Sequence, residues 1–361
     1  MSSEMSSEIA SENHLLTDAL AVAGQDEQLR EIFFDALREA ELRSDNPVMF
    51  REQVRWPLIL SLLRDVEAHR IVLENGAVFD VTPDSRIEKA LLLSTVAHPD
   101  HVWEPQTTRL LIALATNATN VIVGGAYIGD QVVLIARGTT GTVHAFEPMK
   151  HAFERLLHHL RINDLENVVA NQLGLWDRSH AHLRLDGHLA LASSVAVDSG
   201  HSVSGATTES ISIDDYVLSR ELAAVELLML DTEGGEEKAL LAGRRTIARD
   251  SPNIVFEVHR SFVDWSEGLE KTSIVTFLTS QGYEVFAIRD FHNNYPMSGY
   301  PVEVVPVANV YLDGPPHGFN VLATRDENLV NRLGLKIVAN VSPKLLLEKD
   351  PALHFPLSTN G

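Results

Sequence analysis

Residues 120–148 read Asn-Val-Ile-Val-Gly-Gly-Ala-Tyr-Ile-Gly-Asp-Gln-Val-Val-Leu-Ile-Ala-Arg-Gly-Thr-Thr-Gly-Thr-Val-His-Ala-Phe-Glu-Pro. Asn120–Val123 is a short β-branched run of strand type, and Gly124 to Gly129 breaks it. Asp130–Arg137 then carries apolar residues at helical spacing, and Thr142–Phe146 is a second strand that ends on Glu147-Pro148. Strand, glycine turn, helix and strand in this compass make a βαβ unit. The glycines let the backbone approach a ligand closely, and free amides at the helix start favour negative charge. A carboxylate at the tip of the second strand is placed to accept both hydroxyls of a ribose. Gly125, Ala126, Gly129, Glu147 and Pro148 are therefore expected to line a nucleoside-type ligand.

The same alternation continues outward. Helices are expected at Thr108–Ala115, Met149–Ile162, Glu236–Arg249 and Leu269–Gln281. Strands are expected at Asn167–Leu173, Glu226–Leu230, Asn253–Val258, Tyr283–Ile288 and Phe319–Thr324. Such alternation implies right-handed crossovers and a doubly wound, mostly parallel α/β sheet of seven strands, Rossmann-like in layout. Between the last two strands a polar insert with Pro296, Pro301, Pro306, Pro315 and Pro316 stands where a crossover helix would be. Phe319–Thr324 is accordingly expected to be an antiparallel edge strand.

Upstream the texture differs. Residues 1–13 are Ser/Glu-rich and expected to be a disordered tail. Residues 14–100 read as a mostly helical extension, with helices over Leu15–Leu42, Glu52–Ala68 and Ser85–Ser94 and a hairpin turning at Glu74-Asn75-Gly76. The α/β domain then spans 101–327, and 328–361 is expected to be a C-terminal tail. The first fifty residues hold eleven acids and three bases, read as a solvated acidic face, and a homo-oligomer through the helical N-terminal region is a further expectation. The chain has 361 residues, 50 acidic against 29 basic, for a formal net charge of −21. That balance repels a phosphate backbone or an anionic membrane, so neither nucleic acid nor membrane is an expected partner. With no cysteine, disulfides, thiolate metal sites and cysteine nucleophiles are excluded. No signal-peptide pattern and no long apolar run are seen, and a cytoplasmic location is expected.

At the glycine loop and the strand tips the chain resembles the FkbM family of class I S-adenosylmethionine-dependent methyltransferases, over roughly Trp103–Arg325. The resemblance rests on Gly125-Ala126-Tyr127-Ile128-Gly129, Phe146-Glu147-Pro148, Asn163 with Asn167, Ile213-Asp214-Asp215, Asp231-Thr232-Glu233-Gly234 with Glu236, and Glu257-Val258-His259. It implies the class I methyltransferase type of sheet, S-adenosylmethionine as cofactor, and O-methylation of a hydroxyl on a small molecule or glycan. The family usually has an acid where Val123 stands, a Lys where Met229 stands and an Asn where Tyr127 stands. If position 123 faces the ligand, Val123→Asp should maintain or improve cofactor affinity.

Asp231 and Glu233 fall at the carboxyl end of a strand, where open α/β sheets bind ligands. Asp231 is expected to favour the sulfonium and position the acceptor hydroxyl. His259, at the next strand tip, is expected to take the hydroxyl proton, with Glu257 orienting it. Glu104, just before the domain, is expected at the methionine end of the cofactor. His317-Gly318-Phe319-Asn320 is a candidate wall of the substrate pocket, and His151, His158, His159, His180 and His182 are read as solvent-facing. A metal is not expected: Asp231, Glu257 and His259 share two strand tips, but no third carboxylate is placed by spacing. Two rivals use the same features. A nicotinamide-dependent oxidoreductase has a similar loop and acid, but Ala126 stands where its middle glycine belongs. A non-catalytic protein would keep the fold as an interaction scaffold.

Overall fold

The computed structural model describes residues 15–93, 102–186, 193–197, 207–291, 299–312, 318–346 and 349–354. The tail expected at 1–13, along with Pro296, Pro315, Pro316 and His317, lies outside them. The chain divides into two compact units, residues 1–102 and 103–361.

In the first unit the helix expected over Leu15–Leu42 is interrupted. Residues 15–24 are helical, and a second helix, Glu27–Leu42, starts at Asp26, whose carboxylate accepts the Leu29 amide at 3.1 Å. The break falls at Gly24, where a Cβ would sit 1.8 Å from the Leu62 carbonyl oxygen. Phe34, Leu37, Arg38 and Glu41 form the buried stripe of the second helix. Glu41 is neutralised by Arg51 and by Arg55, the latter at 2.9 Å. Strands β1 (His69–Val72) and β2 (Val78–Val81) form the expected antiparallel hairpin, with Gly76 at φ +77° in the turn. Helix Arg86–Leu91 opens on Ser85, whose hydroxyl accepts the Glu88 amide and donates to the Glu88 carboxylate.

The second unit is built on a sheet of nine strands, two more than expected. In chain order these are β3 (Asn120–Gly124), β4 (Thr142–Phe146), β5 (Val168–Asn171), β10 (Leu227–Leu230), β11 (Asn253–Val258), β12 (Glu284–Ile288), β13 (Glu303–Pro306), β14 (Phe319–Thr324) and β15 (Lys336–Ile337). Their spatial order is β15-β13-β12-β14-β11-β10-β3-β4-β5. The run from β5 through β11 is parallel, and β14 is antiparallel to both of its neighbours. β14 is thus antiparallel as expected, but it lies inside the sheet and not at its edge. All six of its residues are buried, which an edge strand with one open side would not require. The central strands β3, β10 and β14 are buried throughout, the pattern of a sheet covered on both faces.

The extra strands come from segments that the sequence read as loop and tail. β13 lies in the Pro-bearing insert. β15 lies past residue 327 and pairs in parallel with β13, so the unit runs on beyond the boundary expected there. A separate four-stranded sheet, ordered β6-β9-β7-β8, fills the stretch between β5 and β10; its strands are β6 (Gly174–Leu175), β7 (His182–Asp186), β8 (Ser193–Val197) and β9 (Thr207–Ile211). Its alternation of a few apolar residues with polar ones gives little local signal, although Leu183 and Leu185 are buried. The expected helix Glu236–Arg249 is two helices, Glu236–Ala242 and Arg244–Asp250, hinged at Gly243. Asp214 caps the second by accepting the Arg245 and Thr246 amides at 3.1 and 2.8 Å. Among the described residues no helix is long and apolar enough to cross a membrane.

Candidate active site

The carboxyl ends of β3, β4, β10 and β11 meet where the strand order reverses, the place at which open α/β sheets bind ligands. Leaving β3, Gly125 has φ +79°, and a Cβ there would lie 1.7 Å from the Asp231 carbonyl oxygen, so only glycine allows the loop to pass the end of β10. The amides of the loop itself are engaged within the chain. Those of Gly125 and Ala126 donate to the Phe146 carbonyl at 3.0 and 2.9 Å, and that of Gly129 donates to Ala126. Tyr127, held at φ 45°, donates its amide to Glu147 Oε2 at 2.8 Å, and Met149 donates to Glu147 Oε1 at 2.7 Å. The loop is therefore clamped onto the tip of β4, and Glu147 is the clamp. Behind it, His159 is fully buried with its Nδ1 at 2.7 Å from the Ile128 carbonyl. The expectation of a solvent-facing His159 is corrected: it supports the glycine loop.

Burial pushes the Glu147 carboxyl up to about 7, against the pull of its two amide donors. Glu104 is also pushed up to about 7, by burial, with Lys344 opposing. Both groups hold protons in the folded chain that the unfolded chain, titrating near 4.5, has already lost. Their ionisation therefore costs stability as pH rises from about 4.5 to 7. Buried His144, lowered to about 4 by burial, acts with the opposite sign between about 4 and 6.5. Glu147→Gln removes one titration, so the variant's melting temperature relative to the parent should be higher at pH 8 than at pH 5. Thermal unfolding at the two pH values checks this, and a pH-independent difference would mean that Glu147 is ionised throughout.

The second group of acids stands on β10 and β11. Asp231, Glu233 and Glu257 are partly buried, and one carboxylate oxygen from each lies within 4.8 Å of the others. The loop that carries the first two is held by Glu236, which accepts the Thr232 amide at 2.6 Å, the Thr232 hydroxyl at 2.9 Å and the Gly234 amide at 3.1 Å. Glu233 itself sits at φ 52°. Burial first, then Glu257 and Glu233, hold Asp231 well above the ordinary carboxylate range. Burial and Glu236 raise Glu233 to about 7. Spacing alone had placed no third carboxylate beside Asp231 and Glu257; the turn after β10 supplies it in Glu233.

Glu104 reaches the same side. It is 3% exposed at the start of helix Pro105–Ala115, in a left-handed conformation, and its side chain does not cap that helix. Its Oε2 instead accepts from Asn320 Nδ2 at 2.5 Å. Asn320 stands directly opposite Glu257 in the β11–β14 register. Buried Lys344, from the segment expected to be a tail, donates to the Gly318 carbonyl at 2.6 Å and faces Glu104, Glu257, Asp290 and Asp231. Asp290, also buried, accepts the Gln106, Thr107 and Phe291 amides. Lys344 and Asp290 were missed, and Asn320 was seen only as pocket wall. The available signals were a lone Lys before Leu345-Leu346 and an Asn inside an otherwise apolar strand.

His259 follows β11, partly exposed. Its Nδ1 accepts the Ser261 amide at 3.0 Å, and its ring lies 5.5 Å from that of Phe262. With Nδ1 occupied as an acceptor, the neutral ring carries its proton on Nε2, which donates and cannot accept. The expected role of proton acceptor is at odds with this geometry. Pro148 is half-buried beside Glu147. Asn163 and Asn167 bond to backbone carbonyls and, like Asp214, serve the scaffold.

A glycine loop clamped by an acid at the second strand tip, with further acids at the fourth and fifth, defines an α/β protein with its polar residues gathered at the switch point of the sheet. Residues 124–285 match the family model of the methyltransferase FkbM domain. The resemblance in the motifs is thereby shown for this segment, which matches the methyltransferase FkbM domain. Among solved structures it is similar to a methyltransferase FkbM from Methylobacillus flagellatus KT, at 14% identity and TM-score 0.35, covering 57% of this chain and 43% of that one. An rRNA methylase from Streptococcus thermophilus matches at 11% and 0.34, covering 60% and 93%. A methyltransferase from Geobacter sulfurreducens matches at 14% and 0.32, covering 61% and 79%. The chain thus spans less than half the length of the first of these. No curated protein matches it.

Proposed function

We propose that this chain transfers the methyl group of S-adenosylmethionine to a hydroxyl oxygen of a small molecule or glycan. The observation that carries this reading is the placing of Asp231, Glu233 and Glu257 beyond β10 and β11 on one side of the glycine loop after β3, with Glu147 at the tip of β4 on its other side. Each Glu147 oxygen accepts one amide, which leaves lone pairs for two ribose hydroxyls. The carboxylates beyond β10 and β11 suit a sulfonium cation, whose electrophilic methyl group is what the cofactor supplies when bound. Glu104, oriented by Asn320, serves the methionine end. Gly125, Ala126, Gly129 and Pro148 line the nucleoside side.

For the transfer, alignment of acceptor and methyl contributes most. Asp231 orients the acceptor hydroxyl, and the raised carboxylate set of Asp231 and Glu233 is where its proton goes. His259, donating from Nε2, helps hold the acceptor. The net charge of −21 argues against a nucleic-acid substrate. Residues 15–42 offer exposed Leu15, Leu16, Val22 and Ile32 for self-association, and a cytoplasmic setting fits a chain without cysteine.

Calorimetric titration with S-adenosylmethionine tests the reading. Binding is expected, and Glu147→Ala should weaken it by about 1–3 kcal/mol, the scale of charged hydrogen bonds. An unchanged affinity in that variant would remove Glu147 from the site. Binding of a nicotinamide dinucleotide instead would favour the oxidoreductase, and binding of neither would favour a non-catalytic scaffold.

A further inference from the structure

We infer that Asp231, Glu233 and Glu257 form a binding site for a hard divalent cation on the acceptor side of the proposed methyl-transfer site. The use of the cation in catalysis rests on that methyl-transfer reading; its binding does not.

The first observation is spacing. One oxygen from each carboxylate lies within 4.8 Å of the other two. Oxygens on opposite sides of Ca²⁺ stand about 4.6–5.2 Å apart, twice its usual bond length, whereas those around Mg²⁺ stand about 4.0–4.2 Å apart. Oxygens within that bound admit either ion. The donors are all carboxylate oxygens, which select hard cations over Zn²⁺ or Cu²⁺.

The second observation is independent of the acids. Asn320 is 2% exposed and faces Glu257 across the β11–β14 register. Its Nδ2 is engaged by Glu104 Oε2 at 2.5 Å and by the Thr107 hydroxyl oxygen at 3.4 Å. Its Oδ1 is buried and has no hydrogen-bond partner among the described residues. Turning the amide over would take the Nδ2 donor away from Glu104, so the unpartnered atom is Oδ1, on the residue that pairs with Glu257 in the strand register. A buried carbonyl oxygen without a donor is costly. An amide oxygen beside a group of carboxylates is also a usual Ca²⁺ ligand, and a cation there relieves it.

The local charge agrees. Lys344 faces Glu257 and Asp231, but its one charge is shared with Glu104 and Asp290, and its Nζ is committed to the Gly318 carbonyl. An acceptor hydroxyl bound to the divalent ion is polarised and oriented, which reduces the demand on any carboxylate as a base.

The test uses the full chain, treated with chelator and titrated calorimetrically with CaCl₂ in 0.15 M NaCl without cofactor. One ion per chain is expected. Loss of partners that merely orient ligands costs metal sites about 10–100-fold in affinity, so Glu233→Gln and Glu257→Gln should each lose at least that much. Glu39→Gln, on an exposed helix face of the first unit, should lose nothing. Circular dichroism identifies a variant that has not folded; if Glu257→Gln fails, Glu233→Gln on its partly exposed turn decides. Absence of saturable Ca²⁺ binding, or equal binding by Glu233→Gln and the parent, overturns the inference. S-adenosylmethionine is titrated separately. Cofactor binding without Ca²⁺ binding leaves methyl transfer standing and removes the ion; Ca²⁺ binding without cofactor binding supports the ion and removes methyl transfer.

Discussion

Val123→Asp is expected to destabilise the chain by about 3–5 kcal/mol, the cost of an uncompensated buried charge, and Val123→Asp with Met229→Lys to recover much of that loss. Val123 is 1% exposed and Met229 2%. The two are register partners on β3 and β10, flanked by Ala145 on β4 and Val255 on β11, both fully buried. Paired residues of parallel neighbours point to the same face of a sheet. Two of the three departures from the family pattern are therefore register neighbours: the position that usually holds an acid adjoins the one that usually holds a lysine, and both carry apolar side chains here. Exchanging a buried ion pair for packed apolar groups is commonly neutral or stabilising, whereas restoring one member alone strands a charge. The expectation that Val123→Asp would maintain or improve cofactor affinity is conditional on that side chain facing the ligand, and here it is buried. Urea unfolding of the parent, the single variants and the double variant measures the coupling. If Val123→Asp stays within about 1 kcal/mol of the parent at pH 7, the carboxylate reaches water or ligand and the pairing argument fails.

Asp231→Asn is expected to lower methyl-transfer turnover by about 10²–10⁴-fold, the range for a group that handles a proton in the transition state. It should also weaken cofactor binding, because one charge serves both ligands. Asp231 is fixed through its backbone: its amide donates to the Gly124 carbonyl at 2.9 Å, and its carbonyl lies under Gly125. Burial and the neighbouring Glu257 and Glu233 raise its carboxyl, so the group accepts a proton more readily than an exposed aspartate would. His259→Ala should cost less than about tenfold, because the Ser261 amide keeps the ring in the donating tautomer. Single-turnover rates with separately measured cofactor affinities distinguish the two residues. A His259→Ala loss as large as that of Asp231→Asn would return the base to the histidine and require the Ser261 contact to break during turnover.

Much of this was legible in the order of residues alone. Strands Thr142–Phe146, Asn253–Val258 and Phe319–Thr324 end where the sequence placed them, because β-branched runs bounded by turn residues are local signals. The same locality put Glu147 and Asp231 at strand tips, since each directly follows its strand. The FkbM motifs are likewise short and contiguous.

What the order of residues left open depended on strand order and register, which join positions far apart in the chain. The insertion of β14 between β11 and β12 sets Asn320 opposite Glu257 and within reach of Glu104. The register of β3 against β10 makes Val123 and Met229 neighbours, and a slip of one residue would turn every side chain of the strand to the other face. The turn after β10 brings Glu233 to Glu257, the segment past β15 buries Lys344 among the acids, and the turn after β11 decides which nitrogen of His259 holds the proton. Sequence by itself determined the class of fold and which residues stand at the strand tips, because both follow from local periodicity. Tertiary structure decided which of those residues share charge, protons and burial, because electrostatic coupling depends on distance through space and not on separation along the chain.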